Sequence, residues 1–382
     1  MTANRIEAYT LLLPLTILML LCISCNNKSP DQIASTSPDS GVTKIDSTSL
    51  LKPSKGIRGI FEDSQGNLWF SSTEYVCVFD GKQFTYFTEE DGLCGIGRVQ
   101  EDQNGTIWIE SGFKVCSYDP STGPVSNNVK RSGTGGVQFT SHTLRPDTSG
   151  NTWDASADDI WFQKGIERFG NTEGPPGVYR YHEGEIDCLA FPVPKTDNDD
   201  SRYHPTTGAI YGKDGTIWFG TMEVVIGFNP SASVGARFTI IGREEMGRKD
   251  DPGQVGIRGL FVDSKGNLWM ADNGSGVFMY NGDTTINFTK LHHLDKGDTD
   301  GNTLHRAFSI AEDDAGNMWF GTVYSGIWRY DGQSLTNFDE KDGVISDNIW
   351  TIYKTKQGAL LFAGENPGGV YKFNGASFDR VY

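Results

Sequence analysis

The sequence predicts an all-β protein, a seven-bladed β-propeller whose blades are four-stranded antiparallel sheets. Three observations lead to this fold class. An eight-residue phrase recurs along the chain, and tight-turn dipeptides follow it at similar distances. The 382 residues also include 22 Phe, 14 Tyr and 9 Trp without a long helical period. A repeat that forms one small β-sheet determines the architecture, because each sheet must cover its faces by packing against neighbouring copies.

The recurrent phrase has the form Asp-x-x-Gly-Asn-Leu-Trp-Phe in its clearest copies. Weaker copies bring the number to seven, within the usual range for propellers. The copies span residues 63–70, 102–109, 147–154, 212–219, 263–270, 313–320 and 355–362. Their seventh positions are Trp69, Trp108, Trp153, Trp218, Trp269, Trp319 and Leu361. We predict that these residues pack between neighbouring blades.

The first repeat, residues 57–93, shows what one blade contains. The first turn includes Asp63, Ser64 and Gly66; Asp and Ser bond to their own backbone, and Gly supplies a positive φ. Asp80-Gly81 is a strong hairpin signal. Turns of this kind separate four short β-rich runs, at 57–62, 68–70, 75–79 and 84–87. Four antiparallel strands joined in this way form one blade.

The third repeat is longer than the others. Trp153 follows Trp108 by 45 residues, whereas Trp218 follows Trp153 by 65. We therefore place an insertion in blade 3 at about 155–176, after which residues 177–181 match the third strand. An alternative register uses residues 159–162, which include Trp161, as the second strand of this blade.

The N-terminal residues are predicted to direct export. Arg5 precedes an apolar run at 11–23 that is too short to span a bilayer, so residues 1–24 resemble a signal peptide. A small residue before Cys25 resembles a bacterial lipoprotein cleavage box, and an ordinary secretory signal is the alternative. Residues 25–56 read as a flexible tether and 57–382 as the propeller. We expect an exported protein, anchored through lipid on Cys25 to a bacterial membrane, on its periplasmic or cell-surface side.

Charge and cysteine content restrict the partners. The net charge of −16 argues against binding to nucleic acid. Four cysteines follow Cys25, and export permits disulfides among them: Cys77, Cys94, Cys116 and Cys188. Cys77 and Cys116 occupy equivalent third-strand positions in neighbouring blades, so we interpret both as small core residues. No metal-ligand spacing follows the signal, and we predict neither a metal nor a cofactor.

Segments at 62–70, at 312–320 with 327–332, and at 342–353 resemble the two-component-regulator propeller repeat. The resemblance extends over residues 57–382. In that family such propellers form the extracytoplasmic sensing part of hybrid two-component sensors, often linked to recognition of carbohydrate breakdown products. The resemblance therefore implies a non-catalytic, sensor-like binding module. The sequence departs from the sensor architecture, because it shows no transmembrane helix, histidine kinase or regulator domain.

Propellers bind ligands at the mouth of the central channel, near the start of each inner strand. Counting five residues back from each turn Asp, or its equivalent, gives Arg58, Gly97, His142, Thr207, Arg258, Phe308 and Trp350. Arginine forks pair with carboxylate or sulfate, and aromatic faces stack on sugar rings. We predict a carbohydrate or anionic ligand at this rim. The predicted contacts are Arg58, Arg98, His142, Thr207, Arg258, Arg306 and Trp350. Alternatively, Arg58 and Arg258 pair with blade-turn acids and only close the ring.

Two other classes of function compete with ligand binding. A protein-interaction platform in an envelope complex would use long loops, at 155–176 and 243–254, as contact sites. An enzyme would resemble streptogramin lyases, which are seven-bladed propellers with a histidine base near the channel. His142, His204 and His305 are the candidate bases, but the sequence lacks a paired His-x-Glu arrangement or clustered metal ligands.

Overall fold

The computed structural model describes residues 52–53, 55–111, 114–122, 139–144, 155–156, 158–163, 175–193, 200–248, 256–296 and 302–382. The predicted signal peptide, Cys25 and the tether up to residue 51 lie outside these residues, as does Trp153. In the described part of the chain, no helix is long and apolar enough to cross a membrane.

The described strands form seven antiparallel sheets, each built from strands that are consecutive in the chain. Blade 1 contains β1 Ile57–Glu62, β2 Leu68–Ser72, β3 Val76–Phe79 and β4 Phe84–Phe87. Blade 2 contains β5 Val99–Glu101, β6 Ile107–Ser111, β7 Lys114–Tyr118 and β8 Thr140–Thr143. Blade 3 contains β9 Ile160–Gln163, β10 Gly177–His182 and β11 Glu185–Ala190. Blade 3 thus shows three strands among the described residues, and the other blades show four.

The remaining four blades repeat the same meander. Blade 4 contains β12 Ile210–Tyr211, β13 Ile217–Gly220, β14 Val225–Phe228 and β15 Phe238–Ile241, and blade 5 contains β16 Ile257–Val262, β17 Leu268–Asp272, β18 Gly276–Tyr280 and β19 Thr285–Asn287. Blade 6 contains β20 Ala307–Glu312, β21 Met318–Thr322, β22 Ile327–Tyr330 and β23 Leu335–Phe338. Blade 7 contains β24 Asn348–Lys354, β25 Leu360–Glu365, β26 Gly369–Phe373 and β27 Phe378–Arg380. The described helices are short: α1 Phe288–Leu291 and 3₁₀ turns at Glu89–Asp91, Pro120–Thr122, Asp200–Tyr203, Val234–Ala236 and Glu340–Asp342. The predicted seven-bladed, all-β fold is confirmed.

The turn aspartate explains why the repeated phrase folds in the same way each time. In blade 1, Oδ1 of Asp63 accepts from the backbone N–H of Gln65 and of Asn67, at 3.0 and 2.8 Å. Its Oδ2 accepts from Trp69 Nε1 at 2.9 Å. The same aspartate-to-tryptophan bond occurs in three further blades, with Asp102, Asp263 and Asp313 as acceptors. One carboxylate therefore fixes both the turn and the tryptophan that follows.

A hydrophobic cluster fills every junction between neighbouring blades, including the junction of blade 7 with blade 1. Each cluster contains one buried residue from the seventh position of the phrase, or its equivalent in blade 3. These residues are Trp69, Trp108, Trp161, Trp218, Trp269, Trp319 and Leu361. Burial of large aromatic side chains in this manner supplies much of the stability of such a fold.

Blade 3 corrects one sequence-based assignment. Trp161 occupies its inter-blade position, on β9, which pairs with β10 from Tyr181↔Ile160 to Val178↔Gln163. The alternative register is therefore the right one. The insertion predicted at about 155–176 includes the residues of β9, so this segment is not a single loop. Residues 164–174, between β9 and β10, lie outside the described part of the chain.

The ring closes by side-chain packing between its first and last blades. β27 supplies the fourth strand of blade 7 from the C-terminal residues. Tyr382 then packs its ring against Phe70 of blade 1, at 5.5 Å between centroids. Glu62, at the end of β1, accepts a hydrogen bond from the backbone N–H of Lys356 in the turn of blade 7, at 2.7 Å. Equivalent bonds join Glu101 to Ser64 and Glu312 to Ser264, so ring closure repeats an ordinary junction.

Cys116 is a buried core residue, as expected, and it also forms a disulfide with Cys94, with 5.8 Å between the Cα atoms. Cys77 is a buried free cysteine, as expected, and Cys188 is also free and buried. The bond joins β7 to the connection that leads into β5, within blade 2.

Candidate functional site

The inner strands converge on a central cavity of about 770 Å³. All seven blades contribute to its lining. The polar lining includes Arg58, Arg98, Gln100, Glu110, Thr207 and Arg258. The apolar lining includes Ile60, Val99, Ile210, Leu260, Ile310 and Ile352. The cavity is large enough for a small-molecule ligand and combines an apolar wall with a few charged groups, as ligand sites usually do.

Backbone bulges place four side chains at the mouth of this cavity. The pairing of the first two strands shifts by one residue between Ile57 and Gly59, and at equivalent points in blades 5, 6 and 7. The residues left unpaired are Arg58, Arg258, Phe308 and Trp350, and all four line the cavity. A bulge re-aims one side chain while the ladder continues on both sides. The counting rule found these positions because the bulge recurs at the same distance from the turn.

Arg58 is held by its neighbours in blade 7. Its Nη2 lies 2.9 Å from Oε2 of Glu365, and its guanidinium lies 4.1 Å from the ring centroid of Trp350. Trp350 Nε1 donates to the same carboxylate oxygen at 2.8 Å. The Trp350 ring also meets Phe308 edge to face, at 4.4 Å between centroids. The pairing of Arg58 therefore fits the closing role considered from the sequence, although its partner is an acid at the cavity mouth and not a blade-turn aspartate.

Arg258 has a different environment. It faces the ring of Phe308 at 6.0 Å, and no carboxylate among the described residues lies within ion-pair distance of it. Burial lowers the pKa of Arg258 below its ordinary value, and the nearby charge of Arg58 acts in the same direction, while Asp272 opposes them. By accessible surface Arg258 is nevertheless an exposed residue, so solvent at the cavity mouth reaches it.

Arg98 reaches from blade 2, past blade 3, to blade 4. A Cβ atom added to Gly208 in blade 4 would lie 1.0 Å from Nη1 of Arg98, so the guanidinium rests directly on the glycine backbone. No ion pair of Arg98 occurs within the described residues. Its positive charge acts on the carboxyl group of Glu110 without an ion pair, and it lowers the pKa of that group. Arg98 and Arg258 therefore bring into one cavity two arginine charges that have no carboxylate partner within the described part of the chain.

Glu110 is the site residue that the sequence analysis missed. It lies at 6% exposure in the cavity wall, where Gln100 Nε2 donates to its Oε1 at 3.0 Å and the backbone N–H of Gln163 donates to its Oε2 at 3.4 Å. Burial raises the pKa of Glu110 to about 7, although the charge of Arg98 and the bond from Gln163 act against the rise. A carboxyl group that titrates near neutrality is unusual, and such groups concentrate at functional sites.

A signal for Glu110 was present in the sequence. It follows directly on the repeated phrase, where the other described blades with a phrase have Ser71, Gly220, Ala271, Gly321 and Ala363. These small residues face the inner strand of a neighbouring blade; a Cβ on Gly321 would lie 2.6 Å from Ile349 Cγ2. Blade 3 has Gln163 at this position. Two long polar side chains at a position reserved for small ones mark blades 2 and 3 as the exceptions.

Of the other three predicted contacts, one lines the cavity and two do not. Thr207 lines the cavity, but its hydroxyl accepts from Gly220 N at 2.8 Å and donates to the carbonyl of Gly208. Arg306 is not part of the cavity wall; its Nε donates to Asn273 Oδ1 at 2.9 Å, and its guanidinium lies 5.6 Å from the ring of Tyr324. His142 lies on β8, the outermost strand of blade 2, so its assignment to the rim is wrong.

His142 instead belongs to the packing between blades 2 and 3. Its ring lies 5.1 Å from that of Trp108, and its Nε2 is 2.9 Å from the hydroxyl of Ser117. Burial lowers the pKa of His142. The assignment failed because it was counted from Asp147, whereas the second strand of blade 3 begins at Ile160.

The histidines considered as catalytic bases are not in the cavity wall. Among the described residues, neither His142 nor His204 nor His305 lines it. His204 is fully buried before β12, and His305 lies before β20, where its carbonyl accepts from Gly274 N at 3.0 Å. A search of the described residues for three or more His, Cys, Asp or Glu side chains able to hold a metal ion finds no such group.

Comparison with known families identifies the repeat. The profile described as two component regulator propeller matches residues 52–74 and 303–324. These segments contain the first two strands of blade 1 and of blade 6, so the repeat predicted from the sequence is confirmed in these two blades. No curated protein sequence matches this chain.

Solved structures share the fold at low sequence identity. The extracellular domain of a protein described as a hybrid two-component system from B. thetaiotaomicron aligns with a TM-score of 0.57 and 16% identity, over 85% of this chain and 39% of that one. A catalytically inactive virginiamycin B lyase from Staphylococcus aureus, with quinupristin, aligns at 0.56 and 14%, over 83% and 94%. PorZ, a surface component of the type-IX secretion system of Porphyromonas gingivalis, aligns at 0.52 and 15%, over 84% and 46%. This chain thus spans well under half of the first of these structures.

Proposed function

We propose that this chain of two-component-regulator propeller repeats is a non-catalytic receptor that binds an anionic ligand, a sugar acid above all, at the mouth of its central cavity. The observation that carries the proposal is the pair Arg98 and Arg258, which face the cavity without a carboxylate partner among the described residues. Arg98 is half-buried and Arg258 is exposed at the mouth, so both guanidinium groups can be reached by a ligand, and an anion that meets them would form charge-assisted hydrogen bonds.

The aromatic side of the cavity supports a sugar as the rest of the ligand. Phe308 and Trp350 stand at the mouth, in the bulges of blades 6 and 7. The bond from Trp350 Nε1 to Glu365 fixes the indole ring, and Arg58 covers one face of it. Trp350 is partly exposed and can present apolar surface without further loss of side-chain freedom on binding, while Phe308, at 6% exposure, supports the indole edge to face. A ligand with a ring and a carboxylate would meet both halves of the lining.

The proposal includes export and attachment to a membrane. The apolar run before Cys25 has the pattern of a lipoprotein signal, and residues 25–56 have the composition of a tether. The Cys94–Cys116 disulfide agrees with an oxidising compartment, where such bonds persist. The similar fold of an extracellular sensor domain supports the same placement. We propose that the lipid on Cys25 holds the propeller at a membrane surface, where it acts as a sensor.

An enzyme is the second candidate, and Glu110 is the observation that favours it. A carboxyl group whose pKa is about 7 could transfer protons at neutral pH, and lyases share the fold. However, both carboxyl oxygens of Glu110 already accept hydrogen bonds, from Gln100 and Gln163. We therefore assign Glu110 to the electrostatic setting of the cavity. Conversion of a bound ligand to a product, abolished by Glu110→Gln, would favour the enzyme.

A protein-interaction platform remains a weaker candidate. The described part of the loop proposed as its contact site, up to Arg248, is packed onto the ring. Arg248 Nη1 lies 2.8 Å from the buried Asp272 carboxylate, and Arg243 Nε lies 2.7 Å from Glu223. Met246 is buried between them. These contacts favour a structural role for this segment, although the fold of PorZ gives a precedent for an envelope component.

The test measures binding of galacturonic acid, with galactose as the neutral counterpart, to the purified chain by titration calorimetry. We expect the acid alone to bind. Each of Arg98→Gln and Arg258→Gln should weaken binding by roughly tenfold to a hundredfold, since a hydrogen bond to a charged group contributes about 1.5–3 kcal/mol. Arg202→Gln is the matched control, because Arg202 pairs with Glu223 outside the cavity.

Three results would count against the proposal. Equal binding of the acid and galactose would remove the anionic requirement. Loss of binding in Arg202→Gln to the same extent as in Arg258→Gln would show a general charge effect. Binding that survives in a folded Arg98→Gln, Arg258→Gln double variant would place the ligand elsewhere.

A further inference from the structure

Tyr324 combines strain with exposure on the rim of the ring. It lies in the loop between β21 and β22, with φ at +66° and 57% of its surface exposed. A bulky side chain in the left-handed region is a genuine outlier, because its Cβ crowds the backbone. Such strain persists where the surrounding structure enforces it, and it concentrates at functional sites.

Neighbouring blades show that the loop demands this backbone conformation. The strand pairing makes Gly274 of blade 5 and Asn366 of blade 7 the counterparts of Tyr324. Both also have positive φ, at +129° and +59°. Gly and Asn are the residues that adopt this region most readily. The tyrosine is the exception, and folding alone would favour either of the other two residues.

Hydrogen bonds hold the strained residue against the next blade. Tyr324 N donates to the carbonyl of Asp347 at 2.7 Å, just as Gly274 N donates to His305. Val323 N donates to the carbonyl of Arg306 at 3.0 Å. These bonds fix the backbone of Tyr324 next to Arg306 and Asp347, the residues that directly precede β20 and β24. Phe308 and Trp350, the aromatic residues of the cavity mouth, follow Arg306 and Asp347 by two and three residues, or roughly 7–10 Å along a strand.

A cation accompanies the exposed ring. The guanidinium of Arg306 lies 5.6 Å from the Tyr324 ring centroid, within the range of a cation–π contact. Its Nε is bound to Asn273 Oδ1, which fixes its orientation. An aromatic ring beside an arginine repeats, outside the cavity, the chemistry of Trp350 and Arg58 within it. The exposed apolar side chain of Ile345, two residues before Asp347, extends the same edge.

We propose that Tyr324 and Arg306 form an outer subsite for a second unit of an acidic oligosaccharide whose first unit occupies the central cavity. The sugar ring stacks on the tyrosine, and its carboxylate meets the arginine. The inference rests on the proposed function, and it specifies that the ligand is an oligomer. Arg306 thus has a binding role that does not require it to line the cavity.

The test compares galacturonic acid with its trimer, on the wild-type chain and on Tyr324→Gly. We expect the wild type to bind the trimer about tenfold more tightly than the monomer, a gain that stacking of one aromatic ring can supply. Tyr324→Gly should abolish this gain and leave monomer affinity unchanged. Its melting temperature should equal or exceed that of the wild type, because the strain is removed.

Two further variants separate stacking from backbone effects. Tyr324→Asn reproduces the residue of blade 7 and should lose the chain-length gain, whereas Tyr324→Phe keeps the ring and should retain it. Arg306→Gln should weaken the trimer more than the monomer.

Each failure has its own signature. If the monomer binds through Arg258 but Tyr324→Gly preserves the gain for the trimer, the outer subsite is wrong and the proposed function stands. If neither sugar acid binds the wild type, both proposals fall. If Tyr324→Gly lowers the melting temperature, the tyrosine is a structural residue and the strain argument is refuted.

Discussion

Replacement of Glu110 by glutamine should change how the stability of the protein depends on pH. Burial raises the pKa of this carboxyl group from its ordinary value of 4.5 to about 7. Between these two values the folded protein keeps a proton that the unfolded chain releases. The free energy of unfolding therefore falls as pH rises through this window. At about 1.4 kcal/mol for each tenfold change in proton affinity, the loss approaches about 3 kcal/mol by pH 7 and above.

Glutamine reproduces the neutral form of the side chain at every pH. In Glu110→Gln the side-chain carbonyl oxygen can still accept from Gln163 N. We expect this variant and the wild type to have similar stability at pH 5. At pH 8 the variant should be more stable by up to about 3 kcal/mol, less the cost of any rearranged hydrogen bond to Gln100. The variant thus gains stability only where the wild-type carboxyl group is forced to ionise inside the cavity.

Urea denaturation at pH 5, 6, 7 and 8, followed by tryptophan fluorescence, measures this difference directly. Glu101→Gln is the matched control, because Glu101 lies on β5 of the same blade but bonds to the exposed Ser64. The difference between control and wild type should not grow with pH. If the Glu110→Gln and wild-type curves stay parallel from pH 5 to 8, the carboxyl group is solvated or fully compensated by Arg98. The assignment of a near-neutral pKa would then be wrong.

Two further substitutions test the geometry of the site and of the repeat. Gly208→Ala should displace the Arg98 guanidinium, because the new methyl group would occupy its place. We expect galacturonic acid affinity to fall about tenfold, while stability changes by less than about 0.5 kcal/mol. The control Gly235→Ala, in open space on the same blade, should change neither quantity, and equal affinity in both variants would contradict the placement of Arg98. Asp263→Asn should destabilise the protein by about 2–3 kcal/mol in chemical denaturation, because an amide group would face the N–H groups of Trp269 and Asn267. The control Asp80→Asn, at an exposed turn with two backbone donors, should destabilise it by about 0.5 kcal/mol. Equal losses in the two variants would refute the linking role of the buried aspartate.

The architecture could be predicted because it depends on local chemistry that the sequence repeats. A turn that needs Asp and Gly, followed by a tryptophan that the aspartate binds, leaves the same pattern each time it occurs. Trp69 and Trp319 both show it, with the indole N–H on the turn carboxylate. Blade 3 was assigned wrongly because a weak copy at 147–154 competed with the strand at Ile160–Gln163, which lacks the phrase. The error then passed to His142, which was counted from the wrong turn.

The charges of the site were predicted less well than their positions. The bulge position yields Arg58, Arg258, Phe308 and Trp350, since it has a constant offset from the turn. The pairing of Arg58 with Glu365 could not be predicted, because these residues are 307 positions apart and meet only when the ring closes. The contact of Arg98 with Gly208 is likewise set by the width of the channel. Glu110 required a comparison of the repeats with each other, at a position outside the phrase itself.

The bulges also explain how a symmetric ring acquires an asymmetric site. A residue in the regular ladder must fit between two blades, so its identity is restricted to what that junction can pack. The bulged residue is released from that restriction and can differ from blade to blade. Blades 1 and 5 use it for arginine, and blades 6 and 7 use it for Phe308 and Trp350. On the proposal made above, a ligand would turn its apolar face toward blades 6 and 7 and its carboxylate toward Arg98 and Arg258. Exchange of Phe308 for arginine should therefore disturb binding while leaving the strand pairing intact, because blades 1 and 5 already carry arginine at the equivalent bulge position.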